Sequence, residues 1–289
     1  MSIKMTTPPS RRSLGKVLLF VTLAILALLF SIPLIWAVLS ALKTPQELAM
    51  FPPPILPERP MWTNFIQVWS EVPFFLFLQN TLTVAVLSVI GDVLTAVLVA
   101  YGFSRFRFPG RDVLFLLLIS TMLLPPEVTL IPQFIMFKHV GLLDTLTALI
   151  VPSYLATSAF SIFLMRQVFL SLPRDLDEAA IIDGAGSLRI LWEILIPLAK
   201  PGITTVALFS FLYHWNDFIR PLIFLNSQEK FTLSLGLRFF QKSITAGGGL
   251  PQDDLLMAAS VMMTLPVILL FFFSQRYFVQ GSAMAGIKR

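Results

Sequence analysis

The chain of 289 residues is 56% hydrophobic and only 13% charged, with a mean hydropathy of +0.82. A soluble domain of this length could not bury so much apolar surface, so the composition excludes that class and indicates a polytopic membrane protein. The basic residues behind the net charge of +5 sit in short loops between apolar runs, which excludes a nucleic-acid-binding surface, and the absence of cysteine excludes disulfide bonds and thiolate metal sites.

Six apolar runs predict an all-α fold, because each is long enough to cross a bilayer, which takes about 20 residues. A polar tail at 1–16 precedes the first run, an outer loop at 43–77 follows it, and a second tail at 277–289 ends the chain. The predicted membrane spans are 17–42, 78–104, 113–137, 145–168, 202–225 and 256–276.

Three segments are expected to depart from straight membrane-spanning helices, two of them because of proline. The proline-rich stretch 51–57 favours polyproline II, so we expect an extended strap along the membrane surface. Pro125 and Pro126 remove two backbone donors from the third span and predict a kink there, either a passive kink or a gate hinge. The segment 231–237 in the outer loop near 226–255 is expected to form a short strand or helix.

The basic residues set the orientation. With the N-terminus inside, fourteen lysines and arginines fall on the inner segments and six on the outer ones. Cytoplasmic loops carry the excess of lysine and arginine, so both termini are predicted to be cytoplasmic. The loop at 169–201 then faces the cytoplasm as well.

That cytoplasmic loop is unusually polar and patterned. It reads as two short helices hinged at 184–186, because Gly184 and Gly186 flank the turn. Ser187 is placed to cap the second helix. A hairpin of this kind between two membrane spans is suited to docking on a cytoplasmic partner.

The loop resembles the E-A-A coupling loop of permease subunits in ABC importers, which is written E-A-A, three residues, G, nine residues, I-x-L-P. One position departs from the pattern, where Ile196 replaces the family's leucine. The matching residues are Glu178, Ala179, Ala180, Gly184, Ile194 and Pro197.

Other segments support the same resemblance. The stretches 215–218, 232–237 and 275–281 are similar to carbohydrate-importer permeases, above all to the smaller of the two permeases in maltose-type systems. The resemblance implies the type I ABC importer fold, with a transmembrane core of helices 2–6 at 75–276 that includes the coupling loop at 169–201. It also implies transport of a carbohydrate across the plasma membrane of a prokaryote.

The resemblance further implies that the chain is a non-catalytic subunit. The sequence has no G-x-x-x-x-G-K-[S/T] string, so ATP and Mg²⁺ would be bound by two partner ATP-binding subunits, and this chain would hold no cofactor or metal. A second permease subunit, an extracytoplasmic solute-binding protein and the lipid bilayer complete the expected partners. Nucleic acid is not among them.

The residues of the coupling loop have expected roles in docking. Glu178 and Asp183 offer charge to a basic partner, Ala179 and Ala180 permit close approach, and Gly184 permits the bend. The alternative is a solvated amphipathic hairpin with no partner. The apolar residues expected to contact the partner and to tie the hairpin to the spans are Ile181, Ile182, Leu188, Leu191 and Trp192.

Ionisable residues within the spans form the second candidate site, because such residues are costly in a bilayer. These acids are Asp92, Glu127 and Asp217, and Asp217 is three residues from Arg220, close enough to pair on one helix face. The functional interpretation is a polar lining for a sugar, in which Glu127, Trp215, Asn216 and Asp217 bind hydroxyl groups or stack on the ring. The alternative interpretation is interhelical packing and self-paired charge.

A different class of protein also fits part of the pattern. A secondary transporter or channel could use Glu127, Asp217 and Arg220 as an ion relay, although it needs no cytoplasmic hairpin and usually shows paired repeats. His139 and His214 occur singly and are expected to be structural. Disaccharides, oligosaccharides, polyols and glycerol phosphate derivatives all remain open as substrates.

Overall fold

A computed structural model describes residues 11–71, 73–246 and 253–285, and over these ranges the protein is helical without β-strands. The helices of the N-terminal half are α1 (Arg11–Ala41), α2 (Pro45–Ala49), α3 (Thr63–Glu71), α4 (Phe74–Arg105), α5 (Arg111–Ser120), α6 (Pro126–His139) and α7 (Thr147–Ile150). Those of the C-terminal half are α8 (Ala159–Ser171), α9 (Asp175–Ile182), α10 (Ser187–Arg189), α11 (Ile196–Leu198), α12 (Lys200–Trp215), α13 (Ile219–Phe224), α14 (Leu233–Ala246) and α15 (Asp253–Ala285). Short 3₁₀ turns lie at Thr121–Leu123, Val151–Leu155 and Gln228–Lys230, and a π-helical turn at Ile190–Leu195 joins α10 to α11.

Helices α1, α4 and α15 are long and apolar enough to cross a membrane, as is the segment Thr147–Ser171. Two bent helix pairs raise the number of candidate spans from four to six if each pair is one span. This range agrees with the predicted all-α membrane fold. The boundaries differ most at the two ends of the chain, where α1 already begins at Arg11 inside the predicted tail and α15 runs through the predicted tail to Ala285. The apolar candidate spans within these helices, Gly15–Ala41 and Asp253–Gln275, nevertheless lie within three residues of the predicted 17–42 and 256–276.

The third predicted span is sharply bent. Residues Arg111–Leu123 and Pro126–His139 form two helical arms at 100° to each other. The bend falls at Pro125 and Pro126, whose missing backbone donors interrupt the helical hydrogen bonding. The predicted kink is confirmed, and it is a break rather than a gentle curve.

The fifth predicted span is divided differently from the prediction at 202–225. Residues Ser187–Leu198 and Lys200–Trp215 meet at an angle of 80°, with Pro201 in the first turn of α12. Helix α12 then ends at Trp215, and the separate helix α13 begins at Ile219. This interruption between α12 and α13 was not predicted, because residues 216–218 contain neither proline nor glycine to indicate the end of a helix.

The loop between α1 and α4, predicted to be the first outer loop, contains local structure at both ends. Thr44 and Glu47 form a reciprocal capping box at the start of α2, and the Glu47 carboxylate also accepts a hydrogen bond from the backbone of Glu58. These backbone hydrogen bonds, from Thr44 and then from Glu58, lower the pKa of Glu47. The stretch between α2 and α3 has no helix, as its prolines predict, and the segment 231–237 proves to be mainly the start of helix α14.

By its internal contacts the chain divides into two units, one of residues up to Ser70 with Ser243–Met262 and one of Glu71–Lys242 with Met263 onward. The second unit is organised around α4, which packs against α8 and α12. Glycine permits the closest approaches. A Cβ at Gly91 would lie 2.7 Å from the ring of Tyr154, and one at Gly202 would lie 2.6 Å from Val168, so a larger residue at either position would push packed elements apart.

Candidate functional site

The loop between α8 and α12 forms the predicted helical hairpin. Gly184 adopts φ +80°, a left-handed conformation that favours glycine, immediately after α9. Its backbone N–H donates to Ile181, and that of Ala185 donates to Ala180, which closes the end of α9. The predicted cap at Ser187 was wrong: Gly186 occupies the N-cap position, and Ser187 is the first residue of α10.

Both arms of the hairpin are tied to the C-terminal end of α4. The Tyr101 hydroxyl donates to the carbonyl of Ser187 at 2.9 Å, which holds the second arm. The Arg105 guanidinium forms an ion pair with Asp177 at 3.1 Å and donates to the carbonyl of Leu172, which holds the first arm. Because both arms are attached to the same long helix, a displacement of the hairpin would be transmitted directly to α4.

Apolar packing reinforces these polar ties. Ala180, Ile190 and Leu191 are buried together with Ala100, Tyr101 and Phe169 in one hydrophobic cluster. Ala180 of the E-A-A string therefore faces the chain's own core, where a small side chain allows α9 to lie close. Its expected role against a partner surface is replaced by this internal one.

The opposite face of the hairpin is exposed. Glu178, Ala179 and Asp183 lie on it, as predicted for residues that meet a partner. Of the five apolar residues expected to contact the partner and to tie the hairpin to the spans, Leu191 is buried in the core and ties the hairpin to it. The other four are exposed, with Ile182 85% accessible, and they lie on both sides of the Gly184 turn along the chain: Ile181, Ile182, Leu188 and Trp192. An apolar patch of this kind beside carboxylates is typical of a docking surface.

A buried polar network lies at the junction of α4 and α12 and was not foreseen as a unit. The carboxylate of Asp92 accepts hydrogen bonds from the Ser210 hydroxyl at 2.7 Å and from His214 Nε2 at 2.9 Å. The Ser153 hydroxyl lies 3.3 Å from the same Nε2. The carboxylate is thus held by two side chains from one face of α12, at i and i+4.

The other ring nitrogen of His214 also has a polar neighbour. Nδ1 lies 3.3 Å from Arg220 Nη2. The imidazole therefore lies between the Asp92 carboxylate and the Arg220 guanidinium. His214 therefore has the structural role that was expected: its ring links two groups of opposite charge, Asp92 and Arg220.

Asp217 and Arg220 form the predicted i, i+3 ion pair, with Nε and Oδ2 2.6 Å apart. Both side chains are largely shielded, and the Arg220 guanidinium also lies 4.7 Å from the centre of the Tyr213 ring. The Ser234 hydroxyl donates to the backbone carbonyl of Asp217 at 2.7 Å. The break between α12 and α13 is therefore stabilised by side chains from both sides.

The other predicted pathway residues are dispersed. Trp215 is buried, stacks on Phe211 with ring centres 5.2 Å apart and donates Nε1–H to Met263, so the prediction that it offers a stacking surface was wrong. Asn216 is exposed and donates back to Leu212. Glu127 is exposed in the first turn of α6, and no ion pair among the described residues joins it to Asp217.

Asp144 is a further polar centre that the sequence did not reveal. Its carboxylate accepts hydrogen bonds from the backbone of Asn226 and Ser227, from the Ser227 hydroxyl at 2.5 Å and from Lys230 at 3.0 Å. These bonds, that of the Ser227 hydroxyl first, hold the pKa of Asp144 far below its usual range. The same hydrogen bonds connect the loop before α7 to the loop after α13.

Comparison with known proteins identifies the family of this chain. Residues 93–283 match the model of binding-protein-dependent transport system inner membrane components. The chain is similar to the sn-glycerol-3-phosphate transport system permease protein UgpE of Yersinia pestis, with 32% identity over 267 residues that cover 90% of this chain and 93% of the relative. It is also similar to the diacetylchitobiose uptake system permease protein NgcG of Streptomyces coelicolor, with 31% identity over 212 residues, 73% of this chain and 70% of the relative.

A solved structure agrees with these relatives. The crystal structure of a bacterial ABC transporter involved in the import of the acidic polysaccharide alginate contains a chain that matches this one with a TM-score of 0.80 and 28% identity. The match covers 94% of this chain and all of the other. The helical architecture described above is therefore that of a transporter subunit.

Proposed function

Because this chain belongs to the family of binding-protein-dependent transport system inner membrane components, we propose that it carries a carbohydrate or related polyol across the plasma membrane as a permease subunit of an ABC importer. The relatives' named cargoes, a glycerol phosphate and a chitin disaccharide, and the alginate of the solved transporter support that substrate class. They share hydroxyl groups, which a hydrogen-bonding pathway recognises.

The hairpin between α8 and α12 is the observation that carries the proposal. Its exposed apolar patch and the Glu178 carboxylate form a surface for an ATP-binding subunit, while Tyr101 and Arg105 attach the hairpin to α4. Closure of two ATP-binding subunits would move the hairpin as a rigid lever and open the pathway outward. ATP hydrolysis belongs to those partners, and this chain is the non-catalytic component.

The remaining partners act outside and beside this subunit. A second permease would complete the pathway, and a solute-binding protein on the outer face would deliver the cargo. With both termini in the cytoplasm, as the basic residues favour, the hairpin and the ATP-binding subunits lie on the same side. The exposed Asn216 and the neighbouring Asp217 are the groups of this chain that we assign to the pathway; Glu127 lies apart from them.

Transport in vesicles tests the proposal. The assembled complex should take up labelled carbohydrate only with ATP and its solute-binding protein, whose ligand screen identifies the cargo. Co-purification of an ATP-binding subunit is expected as well. Uptake by this chain alone, driven by an ion gradient and independent of ATP, would replace the importer with a secondary transporter.

A further inference from the structure

Helix α3 in the first outer loop presents three different faces. At 100° per residue, Ile66 and Trp69 fall on one stripe, which Trp62, the residue directly before the helix, extends; the exposed fractions of Trp62, Ile66 and Trp69 are 67%, 72% and 47%. Thr63, Gln67 and Ser70 form an adjacent polar stripe that is also exposed. The third face contains the buried residues Asn64 and Val68.

The buried face fixes the position of the helix. The Asn64 side-chain amide donates to the carbonyls of Ala41 and Lys43, each at 3.0 Å, and the backbone of Met61 donates to Leu42 at 2.9 Å. Ala41 is the last residue of α1, whose segment Gly15–Ala41 is long and apolar enough to cross the bilayer. The start of α3 is therefore attached at the level where the first span leaves the membrane.

Other groups at this level also suit a membrane boundary. The Lys43 ammonium lies 4.3 Å from the centre of the Trp36 ring, one and a half turns before the end of α1. Tryptophan is enriched at membrane–water interfaces, since its ring is apolar and its N–H is polar. Three of the chain's five tryptophans, Trp36, Trp62 and Trp69, belong to this short region.

We propose that α3 is an interfacial helix that lies in the headgroup layer at the C-terminal end of the first span. Its stripe of Trp62, Ile66 and Trp69 enters the lipid, its stripe of Thr63, Gln67 and Ser70 faces water, and its buried face holds the end of α1. An apolar stripe and a polar stripe side by side, on a helix bound to a span end, match a lipid–water boundary and not a uniformly aqueous surface. The helix would set the depth of the first span. This proposal uses the membrane location of the family and does not depend on the cargo or on ATP coupling.

The natural absence of cysteine allows a direct test. Single variants Ile66→Cys and Gln67→Cys, neighbours on different stripes, are spin-labelled in the complete complex in phosphatidylcholine–phosphatidylglycerol vesicles. Collision rates are then measured with oxygen, which concentrates in lipid, and with a water-soluble nickel chelate. We expect the oxygen-to-nickel ratio to be severalfold higher at position 66 than at position 67.

A second pair and two contrary outcomes complete the experiment. Trp69→Cys and Ser70→Cys should repeat the difference, so the result does not depend on one variant. Equal ratios within each pair would overturn the proposal, because the stripe would then face water. Exclusion of both reagents at position 66, in the resting complex or after addition of the solute-binding protein, would also overturn it, because protein and not lipid would cover the stripe.

Discussion

The ion pair between Arg105 and Asp177 should couple the hairpin to α4 more strongly than any exposed pair on the hairpin does. The atoms are 3.1 Å apart, and the two side chains are only 7% and 16% exposed. At an effective dielectric constant of about 20 the gross attraction is about 5 kcal/mol, most of it offset by the desolvation of both groups. We expect a coupling free energy of about 1–3 kcal/mol from the double-mutant cycle of Arg105→Met and Asp177→Asn.

Hydrogen exchange of the α9 amides in the assembled complex measures this coupling. Loss of about 1–3 kcal/mol corresponds to exchange about 5- to 150-fold faster. The cycle is needed because Arg105→Met also removes the hydrogen bond to Leu172.

The chain supplies a matched control on the same hairpin. Arg189 and Glu193 are 2.8 Å apart, closer than the buried pair, but they are 64% and 60% exposed. Their cycle should give only about 0.3–0.5 kcal/mol, as is usual for exposed helical pairs. Equal coupling in the two cycles would refute the argument that the buried pair transmits motion from the hairpin to α4.

Four further outcomes are expected. Glu178→Lys should leave assembly intact but weaken docking on the ATP-binding subunit by about 2 kcal/mol or more, which would abolish transport-stimulated ATPase activity. Wild-type stimulation in this variant would contradict the coupling role. Glu193→Lys, at a position that the motif does not specify, serves as the control. Gly184→Ala should destabilise the turn by about 1–2 kcal/mol and so accelerate amide exchange there, because φ is +80° although the space for a methyl group is open. The control Gly186→Ala, at φ −75°, should accelerate exchange at the turn much less. Asp217→Leu should reduce uptake more than it reduces recovery of the complex after detergent extraction, since Arg220 keeps its contacts with His214 and Tyr213; full uptake in assembled complexes would remove Asp217 from the pathway. The pKa of Asp144 is lowered by folding, so its stabilising contribution is complete above the ordinary carboxyl range and is lost progressively as pH falls from that range to the lower folded value. The protection factors of the amides at 226–230, which are corrected for the intrinsic pH dependence of exchange, should therefore stay constant between about pH 8 and pH 5. Asp144→Ala should lower them throughout.

Features that depend on local chemistry were predictable from the sequence. The apolar runs located four unbroken candidate spans and the bent third one within a few residues, but not the fifth, because a membrane span needs little more than length and composition. Pro125 and Pro126 located the break in the third span, and Gly184 located the turn of the hairpin. Proline lacks a backbone donor and has a fixed φ, and glycine adopts positive φ without strain, so each marks its break or turn locally.

Features that depend on contacts between distant segments were not predictable. Trp215 precedes two polar residues, Asn216 and Asp217, yet it is buried, because Phe211 and the backbone of Met263 provide its contacts. The contact of His214 with Asp92 joins residues 122 positions apart and needs α4 and α12 to pack at one register. The spacing of Ser210 and His214 by one helical turn was the available signal, and it identifies a partner only once the facing helix is known.

The bend at Pro125 and Pro126 has a consequence for assembly. Each arm, Arg111–Leu123 and Pro126–His139, is about 20 Å long at 1.5 Å per residue, while the hydrocarbon layer is about 30 Å thick. Neither arm can cross the bilayer alone, and the carbonyl groups freed at the bend would find no donors in lipid. Residues 120–129 around the bend are exposed in this chain, so another chain or water in a cavity would have to supply those donors. We therefore expect a solitary copy of this subunit to be degraded unless it is made together with its partners.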